Sequence, residues 1–391
     1  MILLEDALKI LERAPWTLET ETVGLHEALG RILAGDMISE IEMPPFDKAA
    51  MDGYAVNSRD GAGEFKVTGV VAAGDISDVS VKDGEAVRIM TGAPMPPGSD
   101  QVVIREHSLE TEGVVRFSRR DDVMNVCLRG EDLKPGDLVL PDGVRMGPEE
   151  VAAAAAAGRN NLRAYRIPRV AVMVTGSEIV PPGEALGRGQ IYDSNGASIA
   201  AQLAAMSVPP VAVIRVPDDP DRIRGELKKR IDAVDLVILS GGVSMGDYDY
   251  VPGVMESLGI RLHFTKVAMK PGKPTVFGSH AGGYVFGLPG NPVSTFVVFE
   301  IMIKPFLYRM MGHEFRHRVF NLPMGCSWRR RKAKRTEFIP VRIDESRVSP
   351  LEYHGSAHVF ALTGADGLLE VPAGTLEIAK ETMVHVRLLG S

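Results

Sequence analysis

Two textures alternate along this chain. Near the start, Leu4, Ala7, Leu8 and Leu11 recur three and four positions apart, the spacing of one face of an amphipathic helix, so residues 1 to about 40 read as helical in pattern. Between Phe65 and Val144 the pattern shortens to Val/Ile runs broken by Gly, Pro and Asp, as in FKVTGVVAAGD, EAVRIMTG and GDLVLPDG, which predicts short β-strands. MGPEEVAAAAAAG returns to helix, with Pro148 at its start, two acids in its first turn and Gly158 past its end. A small β unit is thereby expected as an insertion between helical pieces.

From Arg169 the rhythm becomes strand, helix, strand. RVAVMVTG is an unbroken apolar strand, and SNGASIAAQLAAM is a helix expected to be capped by Ser194 or Asn195. PVAVIRV is a second strand, DPDRIRGELKKRI a helix with Asp219 as N-cap and Pro220 at its first position, and DLVILSGG a third strand. Continuous apolar strands alternating with helices predict a parallel, doubly wound sheet covered on both faces. Further strands are expected in RLHFTKVAM, PTVFG and YVFGL, then a long apolar helix from Pro292 to about Met311. After Gly312 the β pattern returns in EFIPVRI, GLLEV and TMVHVRLL, with a turn at Asp366-Gly367, which suggests a small C-terminal barrel or sandwich. The expected organisation is multidomain α/β plus β: residues 1–40 with 141–167, an inserted β unit 41–140, an α/β unit 168–313 and a C-terminal β unit 314–391.

Composition narrows the class without naming it. At 391 residues, 45% hydrophobic and 24% charged, the chain has the make-up of a globular protein of several domains. Its formal net charge of −7 argues against a chain-wide nucleic-acid or acidic-membrane footprint. The two cysteines, Cys127 and Cys326, have no metal-ligand spacing and give no disulfide framework, which suits a reducing cytosol. Glu5 and Asp6 stand where a signal peptide carries Lys or Arg, so Met1 is expected to open the mature, cytoplasmic chain. The most membrane-like run, Val151 to Ala157, is far shorter than the roughly 20 residues a bilayer requires, and no membrane association is expected.

The chemistry collects in loops. In an open α/β sheet, ligands bind outside the carboxyl ends of the strands, where backbone N–H groups and helix N-termini face an anion. Here the strands end in TGSE (175–178), SGGVSMGDYDY (240–250), KPGKP (270–274) and GLPGNPVS (287–294), and IYDSN (191–195) opens the first helix. Gly241 and Gly242 permit close backbone approach to a phosphate, and Asp247 and Asp249 could hold a divalent cation that screens it. A tight strand-to-helix turn explains an isolated Gly-Gly equally well. KPGKP sets Lys270 and Lys273 three apart on a segment stiffened by two prolines, able to face one oxyanion, and LPGNPVS joins a rigid turn to a helix start with Ser294 as a donor. Taken together the loops point to an anionic ligand.

Three clusters lie outside this unit: AMDGYA (50–55), RIMTGAP (88–94) and LRGEDLKPGD (128–137), each compatible with a β-turn. WRRRKAKRTEF (328–338) holds six basic residues among eleven; an exposed hairpin, an RNA contact and an oxyanion funnel all fit it. His354 and His358 are four apart, but the stretch reads as strand or loop, so both are assigned structural roles. There is no G-x-G-x-x-G after the first strand, no G-x-x-x-x-G-K-[ST] and no G-x-S-x-G, so nicotinamide enzymes, P-loop nucleotidases and α/β-hydrolases lack their fingerprints. Residue chemistry alone reaches an α/β enzyme with a metal-assisted anion site.

The ordered set AMDGYA, RIMTGAP, RGED, TGSE, IYDSN, SGGVSMGDYDY, MKPGKP and GLPGNPVS resembles the molybdopterin molybdenumtransferase family, the MoeA proteins and the E domain of gephyrin, over essentially the whole chain. The resemblance implies a four-domain homodimer whose cleft joins the α/β and C-terminal domains of one subunit to the inserted β domain of the other. It implies a reaction in which molybdate is inserted into adenylylated molybdopterin and the pyrophosphate bond is hydrolysed, releasing AMP and molybdenum cofactor. In that reading Glu178, Asp218 and Asp249 place Mg²⁺, Lys266 and Lys270 steady charge on the phosphoryl oxygens, and Asp52, Thr91 and Asp132 complete the cleft from the partner subunit. Lys270, Lys273, Ser294, Arg335 and Ser356 would form the molybdate pocket, and Asp193, Ser240, Gly241, Gly242, Ser244, Pro289, Gly290, Asn291 and Pro292 would also contact substrate. Partners implied are the molybdopterin adenylyltransferase and molybdoenzyme apoproteins.

Two departures stand out. The family's first loop often reads Gly-Asp-Glu, whereas Ser177 precedes Glu178 here, and the WRRRKAKR cluster is heavier than the motif requires. A tungstate-inserting homologue, a non-catalytic dimeric scaffold such as the peptide-docking gephyrin E domain, and a related adenylyltransferase are the alternatives. Molybdate and tungstate, nearly alike in charge, size and geometry, are not separable from sequence.

Overall fold

Unbroken apolar runs build the central sheet. The computed structural model describes residues 1–14, 17–75, 78–243 and 250–390. Strands β1 (Val170–Thr175), β2 (Ala212–Val216), β3 (Leu236–Ser240), β4 (Arg261–Phe264), β5 (Val276–His280) and β6 (Gly283–Leu288) lie in the order β2-β1-β3-β6-β5-β4. The first four in that order run parallel, as the sequence pattern predicts. The sheet is nevertheless mixed, because β5 is antiparallel to β6 and β4 to β5. The reason is local: His280 pairs with Gly283 across the two-residue link Ala281-Gly282, and a link that short can join only antiparallel neighbours.

Both faces of the sheet are covered. Val170, Val172 and Val174 point to one side, against Ile199 and Leu203 of helix α1 (Ser194–Ala205); Ala171 and Met173 point to the other, against Ile223 and Leu227 of α2 (Pro220–Ile231) and Val254 and Met255 of α3 (Val251–Ser257). Asp219 caps α2 through its contact with the Arg222 N–H at 2.8 Å, as expected. Helix α1 begins differently from expectation. Its cap is Asp193, one residue before the expected pair, accepting from the Gly196 N–H at 2.7 Å. The long apolar helix is α4 (Pro292–Val298) continued by a π-helical turn, Phe299–Ile303, and a further helix, Lys304–Met310.

The N-terminal forty residues are mostly not helical. Only Leu4–Glu12 forms an α-helix, and its buried Leu4, Ala7 and Leu11 join the core of the α/β sheet. Beyond it the alternating Thr20–Gly24 forms a strand paired with Asn161–Tyr165, and Leu25–Glu27 a single 3₁₀ turn. The helical periodicity belongs to the first twelve residues alone, and a period of two replaces it.

Residues 53–117 form a separate six-stranded sheet: Gln101–Ile104, Gly53–Val56, Glu85–Ile89, Phe65–Val71, Val114–Phe117 and Ser108–Thr111. A third sheet contains Thr336–Asp344, Gly367–Val371, Met383–Leu388 and Val319–Pro323. Its edge is completed by Met269–Lys270, which leaves the α/β unit to pair in parallel with Thr336 and Glu337. That crossing fixes the α/β and C-terminal units to one another at the turn carrying the paired lysines.

Phe277 of β5 is fully buried, with ring centroids of Phe264, Tyr284, Phe286 and Phe306 4.7–5.7 Å away. Phe277→Ala should therefore cost about 3–5 kcal/mol of stability, read as a lowered urea midpoint for the α/β unit.

Candidate functional site

The carboxyl ends of β1 and β3 mark where the sheet's connections change direction, since the chain passes from β1 outward to β2 and then back across to β3. Such a switch point leaves a crevice between the loops that follow the two strands. Here it is a cavity of about 430 Å³, lined by residues that include Thr175, Glu178, Asp193, Asn195, Asp218, Gly241, Gly242, Asn291 and Pro292. Gly241 has φ +101°, and a Cβ there would stand 2.6 Å from both the Thr175 carbonyl oxygen and its hydroxyl. Glycine is required for the backbone to pass so close.

Asn195 holds the crevice together. Its amide donates to the Ser240 hydroxyl at 2.9 Å and to the Gly290 carbonyl at 2.7 Å, tying α1 to the ends of β3 and β6. Among the described residues, its own Oδ1 and the Thr175 hydroxyl are buried without a hydrogen-bond partner. Buried polar atoms are rarely left so, and two of them lining one cavity mark it as built for a polar ligand. Ser177 accepts from the Asp218 N–H at 3.3 Å, which brings the Asp218 loop beside Glu178.

Asp193 lines the cavity, yet its carboxylate is buried and already engaged, one oxygen capping α1 and the other 3.3 Å from Arg215. It supports the crevice wall more than it offers a free ligand atom. Ser240 is likewise used from within, its hydroxyl accepting from Asn195. Ser244 and Asp249 lie outside the described residues.

A second cavity, about 670 Å³, adjoins the first through Gly290 and Asn291. Its walls bring together Lys270, Lys273, Pro289, Ser294, Arg335 and Ser356 from four separate stretches of chain. The KPGKP turn is pinned by the Val267 N–H to Lys273 carbonyl bond at 2.9 Å and by the buried Thr275 hydroxyl on the Gly272 carbonyl at 2.7 Å. Gly272 has φ +106° and room for no Cβ beside Val298. Arg335 donates to the Met269 carbonyl at 3.2 Å, and the Ser356 hydroxyl accepts from Asn291 at 2.7 Å while its carbonyl accepts from the Val293 N–H.

Sequence reasoning missed Glu337, Arg330 and Tyr353. Glu337 is buried; one oxygen lies 2.6 Å from Lys270 Nζ and the other 3.1 Å from Arg330, whose guanidinium also donates to the carbonyls of Arg335, Pro372 and Thr375. Tyr353 lines the same cavity, and burial, reinforced by the Glu337 charge, pushes its hydroxyl up to about 12. The one available signal was a lone acid closing a run of six bases in an apolar strand.

The remaining expected residues are not in this cleft. Lys266 stands at the foot of the turn, its carbonyl accepting from the Ile2 N–H, and is not among the residues lining either cavity. Asp52 accepts from both the N–H and hydroxyl of Thr91 at 2.7 Å, bonds that hold its carboxyl below the usual range. Asp132 is exposed, its N–H bonded to the Met43 carbonyl. No residue of 41–140 lines either cavity.

Three family models match in order: the MoeA N-terminal region (domains I and II) over residues 2–158, the model described as "probable molybdopterin binding domain" over 171–309, and the MoeA C-terminal region (domain IV) over 322–389. The chain is 37% identical to the molybdopterin molybdenumtransferase of Staphylococcus aureus (strain N315) over 320 residues, 79% of this chain and 76% of that one. It is 37% identical to that of Haemophilus influenzae over 319 residues, 80% of this chain and 79% of that one. Among solved structures, a molybdopterin biosynthesis MoeA protein from Pyrococcus horikosii superposes with a TM-score of 0.80 at 32% identity, covering 99% of both chains.

Glu337→Gln should leave the buried Arg330 without its counter-charge and lower stability by about 3–5 kcal/mol, read from the urea midpoint, with Glu337→Asp recovering part of the loss.

Proposed function

This chain is a member of the MoeA family, and on that premise we propose that its two joined cavities form one active cleft, taking the oxyanion on one side and the pyrophosphate of adenylylated molybdopterin on the other. The protein is a transferase of molybdenum cofactor biosynthesis that inserts molybdenum. The observation that carries the division of the cleft is the convergence of Lys270, Lys273, Ser294, Arg335 and Ser356 on a single cavity. A tetrahedral dianion needs fixed cations and hydroxyl donors around it, and these five residues supply both.

The crevice beside Gly241 and Gly242 suits a pyrophosphate. Backbone approaches closely there, helix α4 begins at its edge, and Thr175 offers a buried hydroxyl that has no protein partner among the described residues. Glu178 and Asp218 line the same crevice, and among the described residues no cluster of three or more metal-binding side chains occurs. One or two carboxylates suffice for Mg²⁺, which keeps several waters and binds mainly through substrate phosphates, so the donor set fits. Glu178 and Asp218, joined by Asp249, would hold Mg²⁺, which when bound neutralises charge on the pyrophosphate. Lys270 lines the oxyanion cavity, held there by Glu337, where its ammonium would steady charge on the departing phosphoryl oxygens. Lys266 keeps the supporting role at the foot of that turn. Hydrolysis of the pyrophosphate bond then releases AMP.

We also assign the protein to the cytoplasm, as a homodimer built from the four units set out above. The Asp52–Thr91 pair and Asp132 stand together in chemistry but apart from this chain's own cleft, which fits their delivery to the cleft of a second copy. Exposed Leu29, Ile38, Phe46, Met51 and Leu138 offer apolar surface for such a dimer. The adenylyltransferase that makes the substrate and the apoproteins that accept the cofactor are the corresponding partners.

The deciding experiment is AMP release from adenylylated molybdopterin with Mg²⁺ and with molybdate, tungstate or neither. Release that depends on one oxyanion supports the reading and names the metal; a folded protein that releases nothing favours a scaffold, and ATP consumption with pyrophosphate release favours an adenylyltransferase. Lys273→Ala should raise KM for the oxyanion by about 10- to 100-fold, the value of one charge-assisted hydrogen bond. Glu178→Gln should instead lower AMP release and raise the Mg²⁺ concentration that it requires.

A further inference from the structure

A third cavity, about 610 Å³, lies on the far side of Lys270, Arg335 and Tyr353, the three residues it shares with the oxyanion pocket. Its remaining wall is formed by the basic run 328–334 and by the buried Glu337, whose two oxygens are taken by Lys270 and Arg330. The cations of that run divide into two sets. Arg329 pairs with Glu377 at 2.9 Å, and Arg330 is buried under four contacts and the Trp328 ring, so both are occupied in holding the hairpin. Arg331, Lys332 and Lys334 are exposed, and among the described residues none of them makes an ion pair. Three uncompensated cations around a concave surface are unlike the solvated, salt-bridged face that a structural charge run ordinarily presents.

We propose that this cavity is a vestibule that captures the oxyanion from solvent and passes it between Lys270 and Arg335 into the pocket where it reacts. The inference rests on the molybdate reading of that pocket. A chain of net charge −7 repels a dianion at long range, so productive encounter requires a local field of opposite sign at the mouth of the site. Arg331, Lys332 and Lys334 supply that field without touching the reacting groups, and the wall shared with the pocket carries the cations Lys270 and Arg335 beside the neutral Tyr353. Their role is therefore in capture rate, and the chemical step is indifferent to them.

The test uses the full-length protein and the triple variant Arg331→Gln, Lys332→Gln, Lys334→Gln. Exposure and lack of partners mean the variant should keep its thermal midpoint. Molybdate binding is measured by calorimetry, and kcat/KM for molybdate by AMP release at about 0.01 M and about 0.15 M salt, where the screening length is about 30 Å and about 8 Å. The expected result is a roughly tenfold fall in kcat/KM at low salt, a gap that narrows at high salt, and an unchanged kcat. Lys332→Glu alone should lower kcat/KM more than Lys332→Gln. Equal kcat/KM for variant and wild type at low salt, or a lost kcat at unchanged KM, would overturn the vestibule while leaving the pocket assignment intact. Wild-type protein that neither binds nor uses molybdate would overturn both.

Discussion

The buried carboxylate of Glu337 is the interaction on which the cleft depends. It receives Lys270 from the α/β unit and Arg330 from the C-terminal unit, one on each oxygen. Without it, the buried Arg330 and the ammonium of Lys270 would face one another with no acid between them. The energetic value of such a pair relative to an apolar pair is close to nil, because desolvation offsets attraction. Its contribution is geometric: parallel pairing of Met269–Lys270 with Thr336–Glu337 puts the lysine directly beside the carboxylate, and the ammonium is then half exposed at a defined point between two cavities. Lys270 so held can exchange its partner for an incoming anion without being reoriented.

A different device sets the other half of the cleft. Asn195 spans from α1 to the ends of β3 and β6, and the glycines after β3 let the backbone pass against Thr175. One side of the cleft is thus a close-approaching backbone surface edged by the carboxylates of Glu178, Asp193 and Asp218, and the other a set of basic and hydroxyl side chains from four segments. The substrate proposed above, with a pyrophosphate at one end and a metal-accepting dithiolene at the other, would need that asymmetry. The phosphate side demands close donors, whereas the oxyanion side demands positive charge that does not collapse onto its own acids.

How far the sequence revealed this follows from how local each determinant is. Strands such as Val170–Thr175 and Leu236–Ser240 were plain because continuous apolar runs have no other soluble home. The α2 cap at Asp219 was equally plain, being decided within four residues. The α1 cap was misplaced because three consecutive residues, Asp193, Ser194 and Asn195, can all cap, and only the packing of Asn195 against Gly290 selects among them. The antiparallel edge was hidden in the two-residue link after His280. Glu337 could not be assigned a partner from sequence, since Lys270 is 67 residues away and the pairing is purely tertiary. Lys270, Lys273 and Ser294 were legible within their own turns as candidates for an anion site, Arg335 and Ser356 only through resemblance, and all five line one cavity. Asp52, Thr91 and Asp132 stay outside that cavity, so neither the fold of one chain nor its sequence pattern puts them to work.

The distribution of positive charge along 328–335 gives the last step. Cations that build a hairpin must be neutralised, or their repulsion opposes the fold; cations that attract a ligand must not be, or they attract nothing. This chain resolves the conflict by burial. Arg330, the most enclosed, is the one given a carboxylate and three carbonyls, while Arg331, Lys332 and Lys334, facing solvent, are left to water. Water screens exposed cations well enough that three of them cost the fold little. The same cations stay visible to a dianion entering a concave space, where neighbouring protein displaces part of that screening water. A heavy basic run in an acidic protein is therefore consistent with both stability and attraction, provided its paired and unpaired members are separated by depth.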